Sequence, residues 1–133
     1  MAITLHRRTI ARWTLAGVMV GIGVQHFVSP QLFVAIMPRS LPLPLTLVYV
    51  SGVCEVLGGI GLLVPRLRKA AGWGLIALYL AVFPANVNMA INNLPLGGSH
   101  YPLLLWARLP VQAVFIAWAW WCSQPEPQVI APH

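Results

Sequence analysis

Leu45 to Val64 reads LTLVYVSGVCEVLGGIGLLV and stops at Pro65. At roughly 20 residues, such an apolar run is long enough to cross the hydrocarbon of a bilayer as one helix. Near its middle stands Glu55, in a chain with only two Asp+Glu. An ionisable side chain at that depth costs at least about 2–3 kcal/mol, so it calls for a partner or a wet cavity. The reading of the remaining residues is a search for what accompanies Glu55.

Composition places this run in its setting. Of 133 residues, 59% are hydrophobic and 8% charged, with a mean hydropathy of +0.78. Eight Lys+Arg and two Asp+Glu cannot coat a soluble domain of this size. The class is an integral membrane protein with one compact domain over residues 1–122. A net charge of +6 could suggest a nucleic-acid partner, but the basic residues sit at the ends of apolar runs. There they orient a chain in a bilayer, so the partner is lipid and no nucleic acid is expected. Cys54 and Cys122 lie in different runs with no CxxC spacing. They read as inert packing residues, without a disulfide between them.

Outward from Leu45, the chain divides into four predicted spans, about 11–28, 45–64, 70–91 and 103–122. The first follows the basic segment His6, Arg7, Arg8, Arg12 and closes at Gln25-His26; with no A-x-A-like cleavage site it reads as a retained helix rather than a signal peptide. Ser29-Pro30 has the pattern of an N-cap with proline at the first helical position. It predicts a short helix over Gln31 to Met37, interfacial or folded back, before Pro38, Pro42 and Pro44 break the pattern. Gly58, Gly59, Gly61 and the Gly17-xxx-Gly21 pair are expected to let neighbouring helices approach closely within the molecule. Pro84 and Pro110 free the carbonyls of Leu80 and Trp106 and predict kinks. The loop from Leu94 to Pro102 is turn-rich around Gly97-Gly98, and residues 123–133 read as a flexible tail. The predicted fold is all-α: an antiparallel four-helix membrane bundle with a short interfacial or re-entrant helix between spans one and two. Basic residues in the N-terminus and in the loop Arg66 to Lys69 put both termini on the cytoplasmic side of an inner, cytoplasmic membrane. Trp13, Trp73, Trp120 and Trp121 mark that interface.

Helix rise turns position into depth. From the outer boundary Asn88 lies about 5 Å deep, Asn86 and Arg108 about 8 Å, Gln112 about 13 Å and Glu55 about 15 Å. His26 and Gln25 sit within a turn of the surface. Arg108 and Gln112 share a face, as do Ser51 and Glu55. The polar residues of four helices therefore fall in one outer layer with Glu55 as its floor. Two readings stay open. In the structural one, Glu55 and Arg108 form a buried ion pair, while Asn86 and Gln112 satisfy the carbonyls freed by proline. In the functional one, His26, Glu55, Asn86, Arg108 and Gln112 surround a pocket for a lipophilic molecule with a polar head. Neither a metal nor a haem site is expected, since no ligand spacing links His26 to His100 and no histidine lies deep in a span.

Four pieces carry a resemblance: His26-Phe27 with Pro30; Gly52-x-x-Glu55-x-x-Gly58-Gly59; Pro84-x-Asn86-x-x-Met89-Ala90; and Arg108-x-Pro110-x-Gln112 with Trp118. In this order, on four spans and across roughly residues 10–122, the pattern resembles the DoxX-like family of small four-helix membrane proteins. The resemblance implies an accessory subunit that binds a quinone or similar lipid for a membrane redox partner, with His26, Glu55, Asn86, Arg108 and Gln112 as the positions carried over. It equally admits a non-catalytic assembly subunit or chaperone, and a homo-oligomer. A small-molecule transporter ranks last, because the inner half of every span is almost free of polar residues. The chain has neither a redox cysteine motif nor a cofactor motif, so it is not expected to be catalytic alone.

Overall fold

The computed structural model describes residues 2–95, 98–126 and 128. Five helices follow in order: α1 (Ala2–Val28), α2 (Pro30–Val34), α3 (Pro44–Leu63), α4 (Arg68–Ile91) and α5 (Pro102–Ser123). Three of them, α2, α3 and α5, start on proline, whose missing N–H and fixed φ suit the first turn. Ser29 does stand at the N-cap of α2, but its hydroxyl makes no capping bond. Three helices, α3, α4 and α5, are long and apolar enough to cross a membrane by length and composition. Outside that group, α1 carries Arg7, Arg8, Arg12, Gln25 and His26 among its 27 residues. Large apolar side chains such as Leu57, Leu80, Leu103 and Val114 point outward from α3, α4 and α5. That is the arrangement a hydrocarbon solvent requires, with backbone groups bonded inside each helix.

Around the group α1 packs on α3, α3 on α4, α4 on α5, and α5 closes on α1. Contacting residues run in opposite order on each pair: Gly23 meets Gly52 and Val56 while Gly59 meets Ala16, and Gly72 meets Ser123 while Asn86 meets Gln112. Neighbouring helices are therefore antiparallel. The close approach depends on glycine. A Cβ at Gly58 would fall 2.5 Å from Leu75 Cδ2, and one at Gly61 would fall 2.8 Å from Ala71 Cβ. Gly17 and Gly21 behave otherwise, since both face open space with nothing within 4 Å of an added Cβ. The expectation that they serve packing within the molecule is corrected, because α1 turns its Gly23 edge toward α3 instead.

Two apolar cores result. Leu15, Met19, Leu62, Leu75, Ile76, Tyr79, Ala119 and Cys122 fill one end. Ile36, Met89, Ala90 and Leu105 fill the other. Ile36 belongs to the segment after α2, which is tied down by the Asn88 side-chain amide donating to the Ile36 carbonyl at 3.1 Å. The α2 region thus folds back onto α3 and α4. Both cysteines are free, and Cys122 is buried as expected, but Cys54 is exposed and packs against no core.

The basic N-terminal residues do more than set orientation. Arg12 is 3% exposed. It donates to the carbonyls of Cys122 and Gln124, both at 2.8 Å, and pairs with Glu126. Arg68 reaches the same carboxylate at 3.6 Å, and Arg8 donates to the Pro125 carbonyl. These bonds tie the Cys122 carbonyl in the last turn of α5, and the carbonyls of Gln124 and Pro125 just beyond it, to α1. Ser123 ends α5 and is buried, so the first residues of the predicted flexible tail are held; residues 127 and 129–133 of it, and Gly97 of the predicted turn, lie outside the described residues. Arg12→Ala is expected to cost about 2 kcal/mol, since it strands two carbonyls that now receive charged donors. Glu126→Ala removes only a half-exposed carboxylate and is expected to matter less. Melting of the two variants in detergent checks the order.

Candidate functional site

Between the two cores lies a cavity of about 400 Å³. Its walls include Met19 and Tyr79 of one core and Ile36 of the other, and α2 with its following turn adds Phe33, Met37 and Leu41. His26, Glu55, Asn86, Arg108 and Gln112 all line it, with Ser51 beside them. Four helices thus deliver their polar residues to one space. The position follows from the depth argument: these side chains stand at one level, and neither apolar core can absorb them.

The partners are not those expected. The sequence pairs Glu55 with Arg108, but among the described residues no ion pair joins them. Glu55 instead lies beside His26, with Nδ1 and Oε2 3.1 Å apart. The reason is topological. Arg108 sits on α5, which is not packed on α3, whereas the Gly23–Gly52 crossing presses α1 onto α3 and carries His26 to Glu55. This proximity is not a hydrogen bond. His26 Nδ1 also lies 2.8 Å from the Ile22 carbonyl, which can only accept, so the Nδ1–H is directed there. Glu55 Oε2 is left buried without a hydrogen-bond partner. Phe33 stacks on the imidazole at 3.7 Å with an 18° interplanar angle, which seats α2 against the same histidine.

The amides do not bond the carbonyls that Pro84 and Pro110 free, since neither Leu80 nor Trp106 receives a side-chain donor among the described residues. The Gln112 side-chain amide donates to the Tyr79 carbonyl rather than to that of Leu80, and its oxygen accepts from Asn86. Proline at 84 lacks the N–H that would bond Leu80, and its ring pushes on that turn, which opens the adjoining carbonyl to a neighbouring helix. Tyr79 donates its hydroxyl to Met19 Sδ at 2.7 Å. Among the described residues no hydrogen bond or ion pair engages the Arg108 guanidinium.

Tyr79 and Phe33 are cavity residues that sequence reasoning did not single out. Tyr79 had a usable signal, because it stands seven residues before Asn86 and so on the same helix face. Phe33 had none, since its place depends on how the segment after Val28 folds back.

These side chains describe an all-helical chain, with helices fit to span a membrane, around a mostly apolar cavity whose acid and base, Glu55 and Arg108, are not paired with each other among the described residues. Residues 15–123 match the family described as "Domain of unknown function (DUF8561)", and the chain belongs to that family. Nothing among curated proteins or solved structures matches it.

Proposed function

We propose that this protein binds a lipophilic small molecule with a polar head in the cavity between its two cores, as a non-catalytic accessory subunit of a membrane redox system. In this reading α1 crosses the bilayer with α3, α4 and α5 as an antiparallel four-helix bundle in a cytoplasmic membrane. Its termini are cytoplasmic, because the basic residues of α1 and of the loop before α4 cluster at one end. The observation that carries the proposal is the cavity itself. At about 400 Å³ it has the size and the apolar-with-few-polar character of small-molecule sites, and Glu55 lines it with a carboxylate that accepts no hydrogen bond among the described residues. A donor on a ligand would give that carboxylate a partner. The resemblance to DoxX-like proteins supports a quinone or similar lipid as the ligand and a redox protein as the partner.

A second reading, an assembly subunit without a ligand, is favoured by one feature. Gly17 and Gly21 form an open small-residue stripe, the kind on which a helix of another chain packs closely. Native mass spectrometry of protein released gently from its own membranes separates the two. The expected result is a bound small lipophilic mass that disappears in Ala85→Phe, which fills the cavity without removing a polar group. Larger protein masses alone, with no small molecule, would replace the first reading with the second.

A further inference from the structure

We infer that the cavity selects an amphiphile whose head is neutral overall and carries both a hydrogen-bond donor, for Glu55, and an acceptor, for Arg108. This rests on the binding reading above and narrows it. Several polar groups on the cavity wall are already engaged. Gln112 uses its amide nitrogen on the Tyr79 carbonyl and its oxygen on Asn86. Tyr79 gives its hydroxyl hydrogen to Met19, and His26 gives its Nδ1 hydrogen to Ile22. Two charged groups remain with capacity, beside the neutral Ser51 hydroxyl, Asn86 Oδ1 and His26 Nε2. Glu55 lines the cavity with a carboxylate that accepts no hydrogen bond, and Arg108 keeps its guanidinium free of hydrogen-bond and ion-pair partners among the described residues.

A carboxylate only accepts hydrogen bonds and a guanidinium only donates them. A head that satisfies both must donate at one point and accept at another. The charges add a second condition. When Glu55 is ionised, it and Arg108 carry opposite charges on the cavity wall, while Phe33, Ile36, Val48 and Phe115 supply apolar walls. A head with net charge would leave one charge uncompensated in surroundings of low polarity, which is costly. An anionic head would satisfy Arg108 and be repelled by Glu55, and a cationic head would meet the reverse. A neutral head with hydroxyl and carbonyl groups meets both residues.

Three amphiphiles with the same dodecyl-length tail test this on the full chain in lipid nanodiscs: lauroyl glycerol, laurate and dodecyltrimethylammonium. Lauroyl glycerol is expected to bind at least about tenfold more tightly than either charged molecule, a difference of about 1.4 kcal/mol. In Glu55→Gln the preference is expected to move toward laurate, and in Arg108→Gln toward the ammonium, because each variant removes one side of the balance. A purely structural pair of residues would alter melting without exchanging these preferences. Tighter binding of either charged molecule to the unaltered protein would overturn the inference while leaving a binding pocket in place. Binding of none of the three would overturn the pocket reading as well. The ranking on the unaltered protein decides the matter even where a variant does not fold.

Discussion

Gln112→Leu is expected to destabilise the protein by about 3–4 kcal/mol, from two stranded polar groups at about 1–3 kcal/mol each. The side chain is buried and spans two helices, with its nitrogen on the Tyr79 carbonyl and its oxygen receiving the Asn86 amide. Leucine has similar volume, so packing changes little and the loss reports the bonds. Asn86→Ala is expected to cost less, because Gln112 would keep its bond to Tyr79. Gln112 and Pro84 are also expected to be coupled. The carbonyl at Tyr79 needs Gln112 because Pro84 disrupts the ladder in the next turn of α4. Adding Pro84→Ala to Gln112→Leu restores the N–H that bonds the Leu80 carbonyl, which lets the adjoining turn of α4 close, and is expected to recover part of the loss. Melting curves of the two single variants and the double variant in one detergent give the coupling energy. Strict additivity would show that Gln112 and the proline break are unrelated.

Gly52→Ala is expected to cost about 3 kcal/mol, near the upper end for overpacking a tight contact. The added Cβ would fall 2.8 Å from His26 Cβ, 2.9 Å from the Gly23 carbonyl and 2.9 Å from Phe27 Cε2. Two of these neighbours are backbone or the root of a side chain and cannot swing aside, so α1 must move off α3. That displacement also draws His26 from Glu55 and widens the cavity wall. The variant is therefore expected to lose ligand along with stability. Gly17→Ala supplies the contrast, since nothing lies within 4 Å of its added Cβ. Its melting is expected to match the unaltered protein. A large loss in Gly17→Ala would mean that this face of α1 is covered by another chain, and the assembly reading would gain.

Parts of this site can be read without coordinates. Glu55, Asn86, Arg108 and Gln112 each have a depth that follows from helix rise and from where the apolar runs begin. Depth alone explains why residues far apart in sequence reach one level. It does not say which of them touch, because touching depends on the rotation of each helix and on which helices are neighbours. Arg108 has the reach to meet Glu55 but stands on a helix not packed against α3. His26, assigned by depth to the rim, is brought inward by the glycine crossing.

The same division holds for the chain as a whole. Its amino-acid sequence by itself determines an all-helical protein with spans long enough for a bilayer, because such runs of apolar residues leave few other ways to satisfy a backbone in lipid. It also determines the helix start at Pro30, since proline acts locally through its own φ and its missing donor, whereas Pro44, read as a breaker, proves to be the first residue of α3. Only the tertiary structure decided that Gly23 and Gly52 make the tight crossing while Gly17 and Gly21 stay open. Only it paired Arg12 with the end of α5, stacked Phe33 on His26, and left Glu55 and Arg108 unpaired across one cavity. These outcomes depend on how four helices share space, and a contact between distant residues is set by all their neighbours at once.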